Sequence, residues 1–296
     1  HVARVLELER DPESGVPFQV MELLEGEDAG ALLKRVGPLR PDVAMRIAAQ
    51  ACAGLAAAHA VGVLHRDIKP ENLYLARMKD GSLVVKLLDF GVAKIRRTMS
   101  AGGSIGLTAP QVSITKSGEL VGTPLFMAPE QLDGMKNVDR QGDVYSMGVT
   151  MYALCTGAPP HAEITSFIQL LHAVVNLPAP SLSEVAPWVP AGVVKIIEKA
   201  MAKNKADRYP DAAALLDALG PWVRAGTNLS ADMLVTVDKS APPMMPDIAP
   251  FSEPASTLPA PVLTKPEEPK RLSGPLAAFG LLFVVLVVVI VWSFLR

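Results

Sequence analysis

The run His65-Arg66-Asp67-Ile68-Lys69-Pro70-Glu71-Asn72, followed by Asp89-Phe90-Gly91, restricts the fold of this chain more than any other feature. Phosphoryl transfer asks for few protein groups: a carboxylate at the attacking hydroxyl, oxygens that hold metal at the phosphates, and a cation to spread charge. Asp67, Asn72, Asp89 and Lys69 supply those types, and a fold that returns Asp89 to the loop at 65–72 makes them one site. The flanking sequence can do this. Pro41 opens a run with Ala44, Ile47, Ala48, Ala51, Leu55 and Ala58 at helical spacing, which leads through Val63-Leu64 into the loop. Leu73–Leu75 and Leu83–Leu88 read as a hairpin around Lys79-Asp80-Gly81, and it ends at Asp89.

With Ala128-Pro129-Glu130 further on, these motifs resemble the eukaryotic-type protein kinases, in their bacterial serine/threonine-specific form. The resemblance covers residues 1–226 and implies an α+β, protein-kinase-like fold. Residues 1–25 would be the last strands of the N-lobe and the hinge, and 26–226 the helical C-lobe. An apolar share of 50% suffices for such a core. Val2–Leu8 and Pro17–Leu23 read as a hairpin around Asp11–Gly15, and Asp28–Arg35 as a short helix. Asp143–Thr156 is apolar on nearly every face, as a helix buried mid-lobe would be, and two amphipathic helices follow, around Val193–Met201 and Ala212–Leu219. Residues 92–127, polar and rich in Gly, Ser and Thr, form a long loop.

The resemblance assigns roles to individual positions. Asp67 is the expected base and Lys69 the cation at the transferring phosphoryl group, while Asn72 and Asp89 are the magnesium ligands. Met21, Glu22, Leu24 and Asp28 would face the nucleotide of ATP. Arg66 would pair with a phosphate on the activation segment, at Thr115 or Ser117, and Thr123 would bond the catalytic loop. Glu130 with Arg208 is an expected buried ion pair, and Asp143 an expected acceptor for the catalytic-loop backbone. Protein substrates with Ser/Thr acceptors are implied.

Thr227–Gly274 is rich in proline and reads as an extended, disordered linker. Residues 275–296 then read as a transmembrane segment, because Leu276–Leu295 carries no charge over 20 residues, about 30 Å of helix. Lys270 and Arg271 before it favour an inside N-terminal flank, so the expectation is a single-pass protein anchored in membrane lipid, its kinase domain cytoplasmic and its copies close enough to self-associate. A net charge of −2 gives no sign of nucleic-acid binding. The two cysteines, Cys52 and Cys155, lie in apolar helical stretches and read as buried thiols rather than a disulfide framework.

The sequence lacks the family's Gly-rich loop, its strand lysine and that lysine's glutamate partner. The resemblance would put these before His1, so the expectation is a fragment of an active parent that is itself inactive or nearly so. A non-catalytic pseudokinase scaffold at the membrane is the competing reading, and a small-molecule phosphotransferase of the same fold a third.

Overall fold

The computed structural model describes residues 1–90, 113–114, 120–121, 124–132 and 138–240. The chain begins with a two-stranded antiparallel hairpin, β1 (Val5–Arg10) and β2 (Pro17–Met21), with Leu8 opposite Gln19. A second sheet of order β3-β4-β5 joins Gly26–Asp28, Leu73–Arg77 and Leu83–Leu87, all antiparallel, with Leu75 opposite Val85. The short strands β6 (Ser113–Ile114) and β7 (Leu120–Val121) pair with each other. The helices are α1 (Ala29–Val36), α2 (Pro41–Ala60), α3 (Pro129–Leu132), α4 (Arg140–Thr156), α5 (Phe167–Asn176), α6 (Leu182–Val185), α7 (Ala191–Ala200) and α8 (Ala212–Leu219).

The core is helical. α2 packs against α8, α4 and the inner face of β5, and α4 packs against α7. From Gly142 to Cys155 every residue of α4 is buried, so this helix has no solvent face to mark with polar residues. Its ends explain its length. Asp139 caps the start by accepting the Gln141 N–H at 2.9 Å, and Gly157, with φ +91°, closes the end in a left-handed turn that a side chain would strain. Cys52 and Cys155 are free and fully buried, and burial pushes both thiols up to about 12, which excludes a nucleophilic thiolate.

Gly26 is needed for close approach. At φ +144° it brings β3 so near β4 that a Cβ would overlap the Leu75 carbonyl. That contact fixes where the chain turns from the first hairpin into α1.

The structure departs from the sequence reading in four places. Val2 does not join the first hairpin but bridges Leu87 in parallel, with Ala3 N–H donating to Leu87 O at 3.0 Å. Strands β3, β6 and β7 and helices α3, α5 and α6 are additional. The short helix starts at Ala29, with Asp28 its cap. Lastly, the ordered chain does not stop near Gly226: residues 227–240 lie against the helical lobe, with Leu229, Leu234 and Val237 buried. A segment with three widely spaced apolar anchors has no period for a helix or strand reading to find. No helix among the described residues is long and apolar enough to cross a membrane, and the span expected at 276–295 lies outside them.

Candidate active site

α2 ends at Ala60, and the loop that follows is tied to α4 by one buried carboxylate. Asp143 accepts the His65 N–H at 2.8 Å through Oδ2 and the Arg66 N–H at 2.7 Å through Oδ1, while the His59 ring contacts Oδ2 at 3.0 Å. These bonds hold Arg66 at φ +65°, a left-handed conformation that a non-glycine residue keeps only when its surroundings impose it. The chain therefore reverses at Arg66, where Asp67 follows.

The Asp67 carboxylate meets Lys69 and Asn72. Lys69 Nζ lies 3.3 Å from its Oδ2, and Asn72 Nδ2 donates to its carbonyl oxygen at 2.7 Å and to Oδ2 at 3.2 Å. The Asp67 and Lys69 side chains are each about one-fifth exposed, 19% and 20%, so solvent screens the pair only in part. With its amide nitrogen committed to Asp67, Asn72 is left with its Oδ1 to present to a cation.

His65 links this loop to the strand that leads to Asp89. One ring edge bonds Leu88 O through Nε2 at 2.8 Å, and the other receives the Asp67 N–H at Nδ1, 3.3 Å away. A carbonyl can only accept, so Nε2 carries the proton and Nδ1 is bare. Burial lowers the His65 pKa, against the opposing pull of Asp143, and keeps this neutral form. The Phe90 ring packs at a 46° tilt against the His65 ring, centroids 4.6 Å apart, and Asp89 sits at φ +53°. Asn72 O receives the Leu88 N–H at 2.9 Å, a second tie between the loop and the Asp89 strand.

The residues expected to face the nucleotide lie where β2 passes to α1. Met21 ends β2, and Glu22 is clamped: its N–H donates to Arg4 O, and its carboxylate accepts from Arg4 N–H and Lys86 Nζ, both at 2.9 Å. Chiefly the Lys86 bond holds the Glu22 carboxyl below its usual range. Leu24 O is bonded by the Tyr74 hydroxyl, and Asp28 uses Oδ1 to cap α1 at the Ala31 N–H.

Glu130 and Arg208 meet in a fork, Nη1 to Oε1 at 2.7 Å and Nη2 to Oε2 at 3.0 Å, with the Arg208 side chain wholly buried. Arg66 Nε is buried and has no hydrogen-bond partner among the described residues. Thr115, Ser117 and Thr123 lie outside the described residues. Sequence analysis gave His65 no role, although its two-sided bonding joins the halves of the site. It also left out His59, whose only sequence signal was a polar residue on the buried face of α2.

Among the described residues no group of three or more His, Cys, Asp or Glu side chains gathers to hold a metal. Asn72 and Asp89 offer a sparse, hard-oxygen set. That suits magnesium, which keeps waters and takes its other ligands from substrate phosphate.

The sequence matches the family described as Protein kinase domain over residues 2–218. It is 37% identical over 203 residues to the serine/threonine-protein kinase Pkn1 of Myxococcus xanthus, covering 69% of this chain and 27% of that protein. It is 38% identical over 200 residues to the serine/threonine-protein kinase PknL of Mycobacterium tuberculosis, covering 67% of this chain and 45% of that protein. The chain thus spans less than half the length of these curated relatives. The fold is similar to the crystal structure of the Mycobacterium tuberculosis PknI kinase domain, with TM-score 0.54 and 24% identity, over 75% of this chain and 72% of that one.

Proposed function

Because this chain belongs to the protein kinase domain family, we propose that it is the catalytic lobe of a serine/threonine protein kinase that moves the γ-phosphoryl group of ATP to protein hydroxyls. The observation that carries this reading is the joining of Asp67, Lys69 and Asn72 at 2.7–3.3 Å in a loop bonded to the Asp89 strand. In the reaction, the serine or threonine oxygen forms a bond to phosphorus as the bond to the bridging oxygen of ADP breaks. Asp67 orients the hydroxyl and accepts its proton. Lys69 lies against the same carboxylate and faces the charge on the phosphoryl oxygens. Asn72 and Asp89 would hold magnesium, which when bound neutralises charge on the phosphates.

Arg66, whose buried Nε has no hydrogen-bond partner among the described residues, is the receiver for a phosphate placed on the segment at 91–123, at Thr115 or Ser117. The charge-free stretch Leu276–Leu295 is long enough to anchor the protein in a membrane with this lobe in the cytoplasm, where neighbouring copies phosphorylate one another in signalling.

The 296-residue chain by itself transfers phosphate poorly or not at all. Positioning supplies most of phosphoryl-transfer catalysis, and no residue of β1 or β2 offers a glycine-rich cover or a lysine for the phosphates. The test is magnesium-dependent labelling from γ-labelled ATP, run on the chain, on an upstream-extended protein, and on that protein carrying Asp67→Asn. Label on the extended protein that falls by about 10²–10⁴ with Asp67→Asn supports the assignment. Label unaffected by Asp67→Asn refutes it, and nucleotide binding without any transfer in the extended protein makes the lobe a scaffold.

A further inference from the structure

Residues Thr227–Lys239 contain the 3-10 turn Ala231–Met233 and two isolated bridge residues, Leu229 opposite Leu83 and Thr236 opposite Leu39, and the lobe holds them at three places. At the first, three successive carbonyls are used: Thr227 O accepts from Gln50 Nε2 at 2.6 Å, Asn228 O from Arg46 Nη1 at 2.8 Å, and Leu229 O from Leu83 N–H at 2.9 Å. At the second, the Thr236 hydroxyl donates to Val36 O at 2.6 Å and the Val237 N–H donates to Pro38 O at 3.1 Å. At the third, the Lys239 ammonium lies 5.4 Å from the Trp188 ring centre. Leu229, Leu234 and Val237 are buried between these points.

Gln50 gives the first contact its meaning. It is a buried amide on α2, 4% exposed, and both of its ends are used. Nε2 holds the tail at Thr227, while Oε1 accepts the Val85 N–H at 2.8 Å in the middle of β5, the strand that leads to Asp89. An amide that cannot reach water must keep both bonds, so the tail and β5 are fixed relative to each other. Val36, held by Thr236, is the last residue of α1, whose first turn is capped by Asp28. The same segment thus touches α1, which Asp28 caps, and β5, which ends two residues before Asp89.

We propose that Thr227–Lys239 is a strap belonging to the helical lobe, and that Gln50 is its latch, a positioning residue through which docking of the tail sets β5 and therefore Asp89. Thr236 plays the corresponding part for α1. The strap is held by few bonds and three apolar anchors, so it can open while the core stays folded. Anything that pulls on or binds the chain beyond Ser240 meets it first. The proposal concerns the geometry of the lobe and holds whether or not the isolated chain transfers phosphate.

The test is residue-resolved amide hydrogen exchange in the full 296-residue chain. Two amides report on transmission because neither is bonded to the strap: Leu88, which donates to Asn72 O, and Ala31, which donates to Asp28. Met201, which donates to Ile197 O, reports on the distant core. Releasing the strap with Leu229→Asp and Leu234→Ser should speed exchange at Leu88 and Ala31 by about fivefold or more and leave Met201 unchanged. Gln50→Leu, which keeps a buried side chain and loses both bonds, should affect Leu88 and spare Ala31; Thr236→Val should do the reverse. Acceleration that stops at Leu83 would overturn the proposal. So would Met201 accelerating in step with the reporters, which would make the strap a contributor to global stability alone.

Discussion

His65 holds two parts of the site through one ring, and its chemistry makes the arrangement sensitive to acid. The bonds to Leu88 O and from Asp67 N–H need the neutral tautomer with the proton on Nε2. Burial places its folded pKa below the ordinary value near 6.5. As pH falls, the unfolded chain therefore binds this proton before the folded chain does. Stability from this group is full above about pH 6.5 and declines as pH drops toward the folded value. His161 acts in the same direction, lowered first by burial and then by Lys203. Urea denaturation between pH 7 and pH 5 should show stability falling with acid, and His65→Gln should make that slope shallower. A slope unchanged in His65→Gln would mean that the ring is not held neutral by the fold. The residue types at 65–72 and 89 made the site legible in the sequence because their spacing fixes their order along one loop and one strand. The bonding of His65 was not legible, since a packed histidine and a bridging one look alike in one dimension.

Among the elements, α4 acts as the fixed axis: Asp143 in its first turn sets the loop at 65–66, and the Glu130–Arg208 fork joins α3 to the turn after α7 beside it. Arg208 spends all its donors, adding Ala202 O at 2.6 Å and the carbonyls of Gln141 and Lys203, both at 3.1 Å. Removing Glu130 leaves the wholly buried Arg208 charge without its carboxylate, and removing Arg208 leaves Glu130 only the more distant Lys205 ammonium, 3.9 Å away, among the described residues. Glu130→Gln and Arg208→Met should each cost about 3–5 kcal/mol in chemical denaturation, and Glu130→Leu with Arg208→Met together should cost less than the sum of the singles. Single losses under about 1 kcal/mol would show the fork to be solvated. Helical periodicity and turn residues exposed α2, α4, α7, α8 and the β4-β5 hairpin at the sequence level. α5 was harder, since FIQLLHAVVN is apolar on most sides while only Leu170, Ala173 and Val174 are buried. β3 is three residues long and owes its state to Gly26 pressing on Leu75, a tertiary contact with no local pattern. The strap was hidden by composition, because prolines beyond Ser240 gave the whole segment the look of a linker.

On the scale of the whole molecule, the helical lobe buries its core while the first hairpin does not. All six residues of β1 are exposed, and Leu8, Val16, Phe18 and Leu23 meet solvent on both sides of the β1-β2 ribbon. A two-stranded ribbon is marginal in water, and this one is tied to the lobe by few bonds, chiefly those of residues 1–4 with Glu22 and β5. Its outer end, at Asp11–Gly15, should therefore open far more often than β4-β5, whose residues lie against α2. Limited digestion of the chain with a Glu-specific protease tests this directly. Cuts at Glu7, Glu9 or Glu13 should appear about tenfold sooner than cuts at Glu71 or Glu198 in the lobe, because local opening precedes cleavage. A binding partner that covers the apolar residues of the ribbon should slow the early cuts and leave the late ones alone. If the ribbon resists as long as the lobe does, it has found a cover within this chain. Glu22 and Leu24, at its inner end, would then be held as firmly as Asp67.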